Sequence, residues 1–268
     1  MRAIIPIRPK KNSRKNPLRI TVVVAIAVVL LATAGLFYQS FRDREARQDV
    51  LDQIKTLPLP SATKSLDESK SPEASLADIT IREQLNLGVP FTSQAPHAVW
   101  DLTHEEACEE ASMLMASRYF NQRKINDATD AEEGIGEIIA WEKENLGFFE
   151  STTAEETSRV IREMLGLRAE VVESPSAPDI QKALNEDKLV LVPAAGRKLA
   201  NPFYKSPGPL YHMLVIKGYS DNQFITNDPG TKNGENYPYK FETILSANHD
   251  WNGGNVDSGQ KVMIFVSK

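Results

Sequence analysis

The run ITVVVAIAVVLLATAGLFY, residues 20–38, constrains this chain more than any other segment. It is almost wholly apolar and carries no charge. As a helix it would extend about 28 Å, close to the ~30 Å hydrocarbon core of a bilayer, so it predicts a transmembrane helix. Upstream lie Arg2, Arg8, Lys10, Lys11, Arg14, Lys15 and Arg19 with no acid among them, whereas downstream Arg42, Arg44 and Arg47 alternate with Asp43, Glu45 and Asp49. That asymmetry places the amino terminus in the cytoplasm and the bulk of the chain on the other side. A competing reading is a signal peptide cut near Ala34, because Ala32-Thr33-Ala34 has the small-residue form of a cleavage site and the product would be secreted. The apolar run continues through Leu36, Phe37 and Tyr38, which favours a retained anchor.

The run also divides the chain. Residues 1–19 form a basic cytoplasmic tail and 20–38 the membrane helix. Residues 39–84 form a polar juxtamembrane segment followed by a linker rich in Ser, Pro and charge, too poor in apolar residues to bury a core. The folded domain is expected over 85–268. Within it, LNLGVPF suggests a short strand and EEACEEASMLMASRYFNQ a strong helix, with Ala107, Ala111, Leu114, Met115 and Arg118 at three- and four-residue spacing. Residues 131–145 and 153–165 are further helix candidates, and Ser176 to Asp187 reads as a helix opened by Asp179. Then come KLVLVPAA, YHMLVIKGY, NQFITND and KVMIFVSK, whose β-branched and alternating character reads as strands. Helices first and strands later predict an α+β fold.

Composition removes several function classes. A net charge of -5 argues against nucleic acid as a partner. A single cysteine forms no intrachain disulfide, and the four histidines show no metal-binding pairing, so neither a metal nor another cofactor is expected. The cysteine itself has two readings: a small buried hydrophobe, or a catalytic thiol that needs a histidine elsewhere in the chain.

For the second reading, Cys108 sits near the start of the strongest helix, where Asp101 or Thr103 is placed to cap and the helix dipole favours a thiolate. Glu105, Glu106, Glu109 and Glu110 oppose this, since nearby carboxylates raise a thiol pKa. They are expected to point away from the sulfur or to be outweighed by a histidinium. His212 opens the strand YHMLVIKGY, and Asp228 closes the next one. With a three-residue loop centred on Ser220, the two would be directly opposed on one sheet face; a two-residue loop would separate them. Read blandly, they are an edge-strand histidine and the Asp of the turn Asn227-Asp228-Pro229-Gly230.

The stretches VPFTSQAPHAVWDLTHEEACEEASMLM and YHMLVIKGYSDNQFITNDPGT resemble the bacterial papain-like peptidases similar to the bacteriocin-processing, double-glycine-leader peptidases. The resemblance spans roughly Leu87 to Trp251. It implies a papain-like cysteine peptidase fold with a helical lobe and an antiparallel sheet. It also implies a Cys108–His212–Asp228 triad, with the Gln94 side chain and the Cys108 backbone N–H as oxyanion donors. A peptide or protein substrate would follow, with the membrane engaged through the amino-terminal helix; the sequence carries no sign of oligomeric state. The insert between Gln94 and Cys108 is longer than in the leader peptidases, and no Walker sequence is present, so their export-coupled role is not expected here. A cell-wall peptide amidase or endopeptidase, or a non-catalytic peptide-binding module, are the alternatives on the same fold. His97 and His104 read as solvated residues, His249 as structural or rim, and Trp100, Trp141 and Trp251 as core or cleft wall. Asn201-Pro202-Phe203 and Pro207-Gly208-Pro209 are candidates for a loop over the cleft.

Overall fold

A computed structural model describes residues 81–268. The basic tail, the apolar run at 20–38 and the linker up to residue 80 lie outside the described residues. Among those described, no helix is long and apolar enough to cross a membrane.

Three helices follow a short first strand at Leu85–Asn86. The helix α1 covers Cys108–Phe120, α2 Ala128–Asn145 and α3 Ala154–Glu163. Their starts differ in chemistry. Asp127 caps α2 by accepting from the Thr129 and Asp130 N–H groups. Thr153 and Glu156 close a reciprocal capping box on α3, satisfying two of the amides a helix start leaves open. Helix α1 has no side-chain cap at all: Ala107 occupies the position, and neither Asp101 nor Thr103 reaches it. Asp101 Oδ1 instead accepts from the Thr103 and His104 N–H groups in the turn before the helix, at 3.0 and 2.9 Å. A later helix, α4 (Ala177–Asn185), is capped by Ser176 rather than opened by Asp179; Asp179 is the capping-box partner of that serine.

The strands are β1 (Leu85–Asn86), β2 (Arg168–Glu173), β3 (Leu189–Ala195), β4 (Tyr211–Ser220), β5 (Gln223–Asn227), β6 (Tyr237–Lys240) and β7 (Val262–Ser267). They form one seven-stranded sheet in the order β2-β7-β3-β4-β5-β6, with β1 added to β4. Every pairing is antiparallel. The α+β class therefore holds. The expected strand at LNLGVPF shrinks to two residues, while β2, β6 and the short helix α5 (Phe241–Ala247) were not marked by pattern. Every residue of β3 and β4 is buried, the condition of strands covered on both faces.

The β4–β5 hairpin departs from expectation in an instructive way. Ser220 pairs with Gln223, so the loop holds two residues, Asp221 and Asn222, not three. By alternation alone that would place His212 and Asp228 on opposite faces. A bulge in β4 between Ile216 and Gly218 adds one residue and reverses the parity. Below the bulge Val215 pairs with Asn227, so Asp228 continues opposite Leu214 and becomes a diagonal, same-face neighbour of His212. The extra residue, Lys217, is buried and donates to Asn86 and Asn236. Gly218 beside it lets β1 approach: a Cβ there would lie 2.2 Å from the Leu85 carbonyl oxygen.

Candidate active site

His212 and Asp228 meet at the foot of this hairpin. His212 Nε2 lies 2.8 Å from Asp228 Oδ1, and both side chains are buried. Asp228 is surrounded by donors. Oδ1 also accepts from the Gly230 N–H at 3.0 Å, and Oδ2 accepts from Asn201 Nδ2, the Tyr204 hydroxyl and the Tyr239 hydroxyl at 3.0, 2.7 and 2.6 Å. Burial alone would push this carboxyl up, but the His212 charge and hydrogen bond, helped by the two tyrosines, hold it below the usual carboxylate range. An ionised carboxylate only accepts, so Nε2 is the nitrogen that carries the proton. In the neutral ring Nδ1 is then a lone-pair acceptor, and it is buried with no hydrogen-bond partner. The ring is wedged in place: Tyr204 packs edge-on at 5.4 Å, and a Cβ on Gly230 would come within 2.9 Å of His212 Cε1.

Asn201, Tyr204 and Tyr239 are site residues that sequence reasoning passed over. Asn201 and Tyr204 come from the segment before β4, and both brace the carboxylate by donating to Asp228 Oδ2. Tyr239 sits on β6, a strand the pattern did not mark.

Cys108 is the first residue of α1, so its backbone N–H has no acceptor within the helix. Its side chain is 4% exposed. Met213, the residue after His212, brings its backbone amide beside the sulfur. Ser112, one turn along α1, donates to the Met213 carbonyl at 3.3 Å and ties the helix to β4 at this point. The nucleophile candidate and the base candidate are thus carried by α1 and β4 where the two elements are joined.

The neighbouring acids are not where the sequence placed them. Glu109 points to the sulfur, with Cys108 Sγ 2.9 Å from Glu109 Oε2, and both groups are buried. Burial first, then the charges of Glu109 and Glu110, push the Cys108 thiol up, and only the Met213 amide pulls it down. The thiol pairs with this carboxyl; among the described residues no hydrogen bond joins it to the His212 ring. Glu110 is also buried and faces Glu142 from α2, and burial and mutual repulsion push Glu110 up. Glu142 is raised to about 8, chiefly by burial. Helix α1 is buried on nearly all sides through its first two turns, so its glutamates had no solvent face to occupy.

Gln94 reaches the same neighbourhood by its backbone, donating its N–H to the Pro229 carbonyl, next to Asp228, at 2.9 Å. Its side-chain Nε2 donates to the His104 and Glu105 carbonyls at 2.8 and 3.3 Å. Both amide hydrogens are therefore engaged with the 95–107 insert in this conformation. His104, read as solvated, is held: Nδ1 lies 2.8 Å from Asp101 and Nε2 2.9 Å from Glu132 of α2. Burial disfavours its charge, but the two carboxylates raise its pKa overall. His97 is exposed, and His249 is buried against Gly259 and Lys198, a structural position. Among the described residues no group of three or more His, Cys, Asp and Glu could hold a metal ion.

A solved structure described as a C39-like peptidase from Bacillus anthracis is similar at 16% identity and a TM-score of 0.45, covering 70% of this chain and 98% of its own. No curated protein matches the chain. The family model described as the Peptidase_C39 like family matches residues 86–253, a span that holds Gln94, Cys108, His212 and Asp228. The described domain is a papain-like C39 peptidase-like domain, and the chain belongs to the Peptidase_C39 like family.

Proposed function

We propose that this domain is a cysteine peptidase that hydrolyses peptide bonds with Cys108 as nucleophile, His212 as base and Asp228 as the group that orients the base. The observation that carries the reading is the imidazole: Nε2 is fixed on an ionised carboxylate at 2.8 Å, Nδ1 is left buried and unpartnered, and the next residue in the chain, Met213, hydrogen-bonds the sulfur through its backbone amide. In this reaction Nδ1 takes the thiol proton and the thiolate attacks the amide carbonyl carbon. The carbonyl π pair moves to oxygen, and the imidazolium returns its proton to the leaving amine. Water, deprotonated by the same ring, then releases the acid and the free thiol. Asp228 stays ionised and stabilises the imidazolium.

The Cys108 backbone N–H is one oxyanion donor. Gln94 is the second once its amide leaves the His104 and Glu105 carbonyls, so substrate entry displaces part of the 95–107 insert. The chain acts outside the cytoplasm, held to the membrane by the helix at 20–38 and spaced from it by the linker to residue 84, and its substrate is a peptide or protein. Cys108→Ala in the full chain is expected to abolish peptide hydrolysis and all labelling by a thiol-directed electrophile while the thermal transition persists. Hydrolysis that survives this substitution overturns the assignment.

A further inference from the structure

The mechanism leaves one group against the sulfur without a task. Glu109 Oε2 stands 2.9 Å from Cys108 Sγ, while Glu109 Oε1 is buried with no partner. A carboxylate held there would be the worst neighbour for a thiolate, and a neutral carboxylic acid would be a good one, because its O–H donates to the sulfur. The surroundings decide between the two forms. Glu109 is 1% exposed. The groups that face it are Cys108, Glu106 and Glu110 from its own segment, Tyr211 from β4 and Glu142 from α2, none of them a cation. No ion pair includes Glu109 among the described residues. Tyr211, whose side chain is buried, spends its hydroxyl on the Thr152 carbonyl and Asp250 and offers the carboxyl nothing. The Cys108 thiol and the Glu109 backbone N–H are the donors it meets, and burial with Glu110 beside it outweighs them, so a carboxyl with one free oxygen, no cation and other acids around it keeps its proton.

We propose that Glu109 is a further catalytic residue, a neutral carboxylic acid whose O–H donates to the Cys108 sulfur and stabilises the thiolate as the thiol proton passes to His212. The inference rests on the Cys–His reading above. The proton count closes: the thiol proton moves to His212 Nδ1, and the Glu109 proton stays on Oε2, bridging to the sulfur. When the sulfur attacks the carbonyl and its charge moves to the oxyanion, the bridge weakens and Glu109 remains neutral. The arrangement gives a buried thiolate a donor at a helix start that carries no side-chain cap. It also explains how four acids in sequence around Cys108 are compatible with a nucleophile.

The test uses the fact that Cys108 is the single cysteine, so alkylation reports on it alone. Iodoacetamide labelling rates of the folded full chain are measured from pH 5 to 10 for the wild type, Glu109→Gln and Glu109→Leu, beside peptide hydrolysis and thermal unfolding. Glu109→Gln keeps a donor and is expected to label within about 3-fold of the wild type. It should also lose the fall in rate that the wild type shows when Glu109 ionises at high pH. Glu109→Leu has no donor, and labelling near pH 7 is expected to drop about 10- to 100-fold. Labelling in Glu109→Leu equal to or faster than the wild type overturns the proposal, since it makes Glu109 a spectator or a suppressing anion. The two readings fail separately. Wild type that hydrolyses peptide while Glu109→Leu labels normally removes the donor alone. Wild type that hydrolyses nothing while Glu109→Leu labels slowly removes the peptidase and keeps the donor.

Discussion

Two sets of buried carboxyls, Asp228 and the trio Glu109, Glu110 and Glu142, have their proton affinities shifted in opposite directions. Asp228 is fully buried and collects five donors, from His212, Gly230, Asn201, Tyr204 and Tyr239. Glu109, Glu110 and Glu142 are as deeply buried, yet among the described residues Glu109 Oε1 has no partner, and Glu110 and Glu142 face each other with no cation and no hydroxyl between them. The first carboxyl is held below its ordinary range and the other three are pushed above it. Burial is common to both sites, so burial does not set the direction of the shift; the sign of the neighbouring charge, with the supply of N–H and O–H groups, does. A peptidase can use both states: an anion to steady an imidazolium, and neutral acids where an anion would suppress a thiolate.

The largest expected effect comes from breaking the donor-rich side. Asp228→Ala removes the acceptor for five groups at once and frees the His212 tautomer. Peptide hydrolysis measured as kcat/KM is expected to fall about 10³-fold or more. A smaller loss is expected from Gly230→Ala, whose Cβ would sit 2.8 Å from Tyr204 Cε1 and 2.9 Å from His212 Cε1. Displacing the ring by a fraction of an ångström should cost about 10- to 100-fold in kcat with the fold kept, and circular dichroism separates the two.

Smaller again is the loss of single donors. Tyr204→Phe and Tyr239→Phe each take one hydroxyl from Asp228 Oδ2 and should let its pKa rise. The acid limb of the pH–rate profile then moves to higher pH, with kcat at neutral pH down about 3- to 10-fold. The stability that ionised Asp228 contributes follows the same sign. It is present above the unfolded carboxylate pKa and lost as pH falls through the lower folded one.

The donor-poor side predicts the reverse dependence. Glu142 is raised to about 8, so the folded chain holds a proton that the unfolded chain has released. Stability should therefore decline as pH rises from the ordinary carboxylate range towards 8. Glu142→Gln should flatten that decline by roughly one proton, read as the pH dependence of the denaturation midpoint. A slope unchanged in this variant would show that the Glu110–Glu142 pair is ionised at neutral pH and would erase the contrast between the two sites.

How much of this was written in the sequence depends on the kind of signal. Strand alternation in YHMLVIKGY and NQFITND marked β4 and β5, and the order of Cys, His and Asp-Pro singled out His212 and Asp228, which the structure joins at 2.8 Å. The register did not follow, because a bulge is a backbone event. Gly218 inside the strand was its one trace, since an isolated glycine in a strand marks a bulge or a close backbone approach. The braces on Asp228 were hidden for another reason. Asn201 and Tyr204 reach it from 27 and 24 positions away, and no local pattern records such a distance. The glutamates misled because charge on a helix normally signals solvent, and α1 has almost no solvent side in its first two turns. His104 was misread likewise, since the carboxylate of Glu132 that holds it lies in the next helix.

The central claim is that the Cys108 sulfur is made reactive by the ring that Asp228 fixes. The most direct measurement is the iodoacetamide labelling rate of the single cysteine at pH 7 in the folded wild type and in His212→Ala. The account predicts a loss of about 100-fold on removing the ring, with both proteins folded in the same buffer. Equal rates in the two, or a wild-type thiol that reacts only on unfolding, would contradict it.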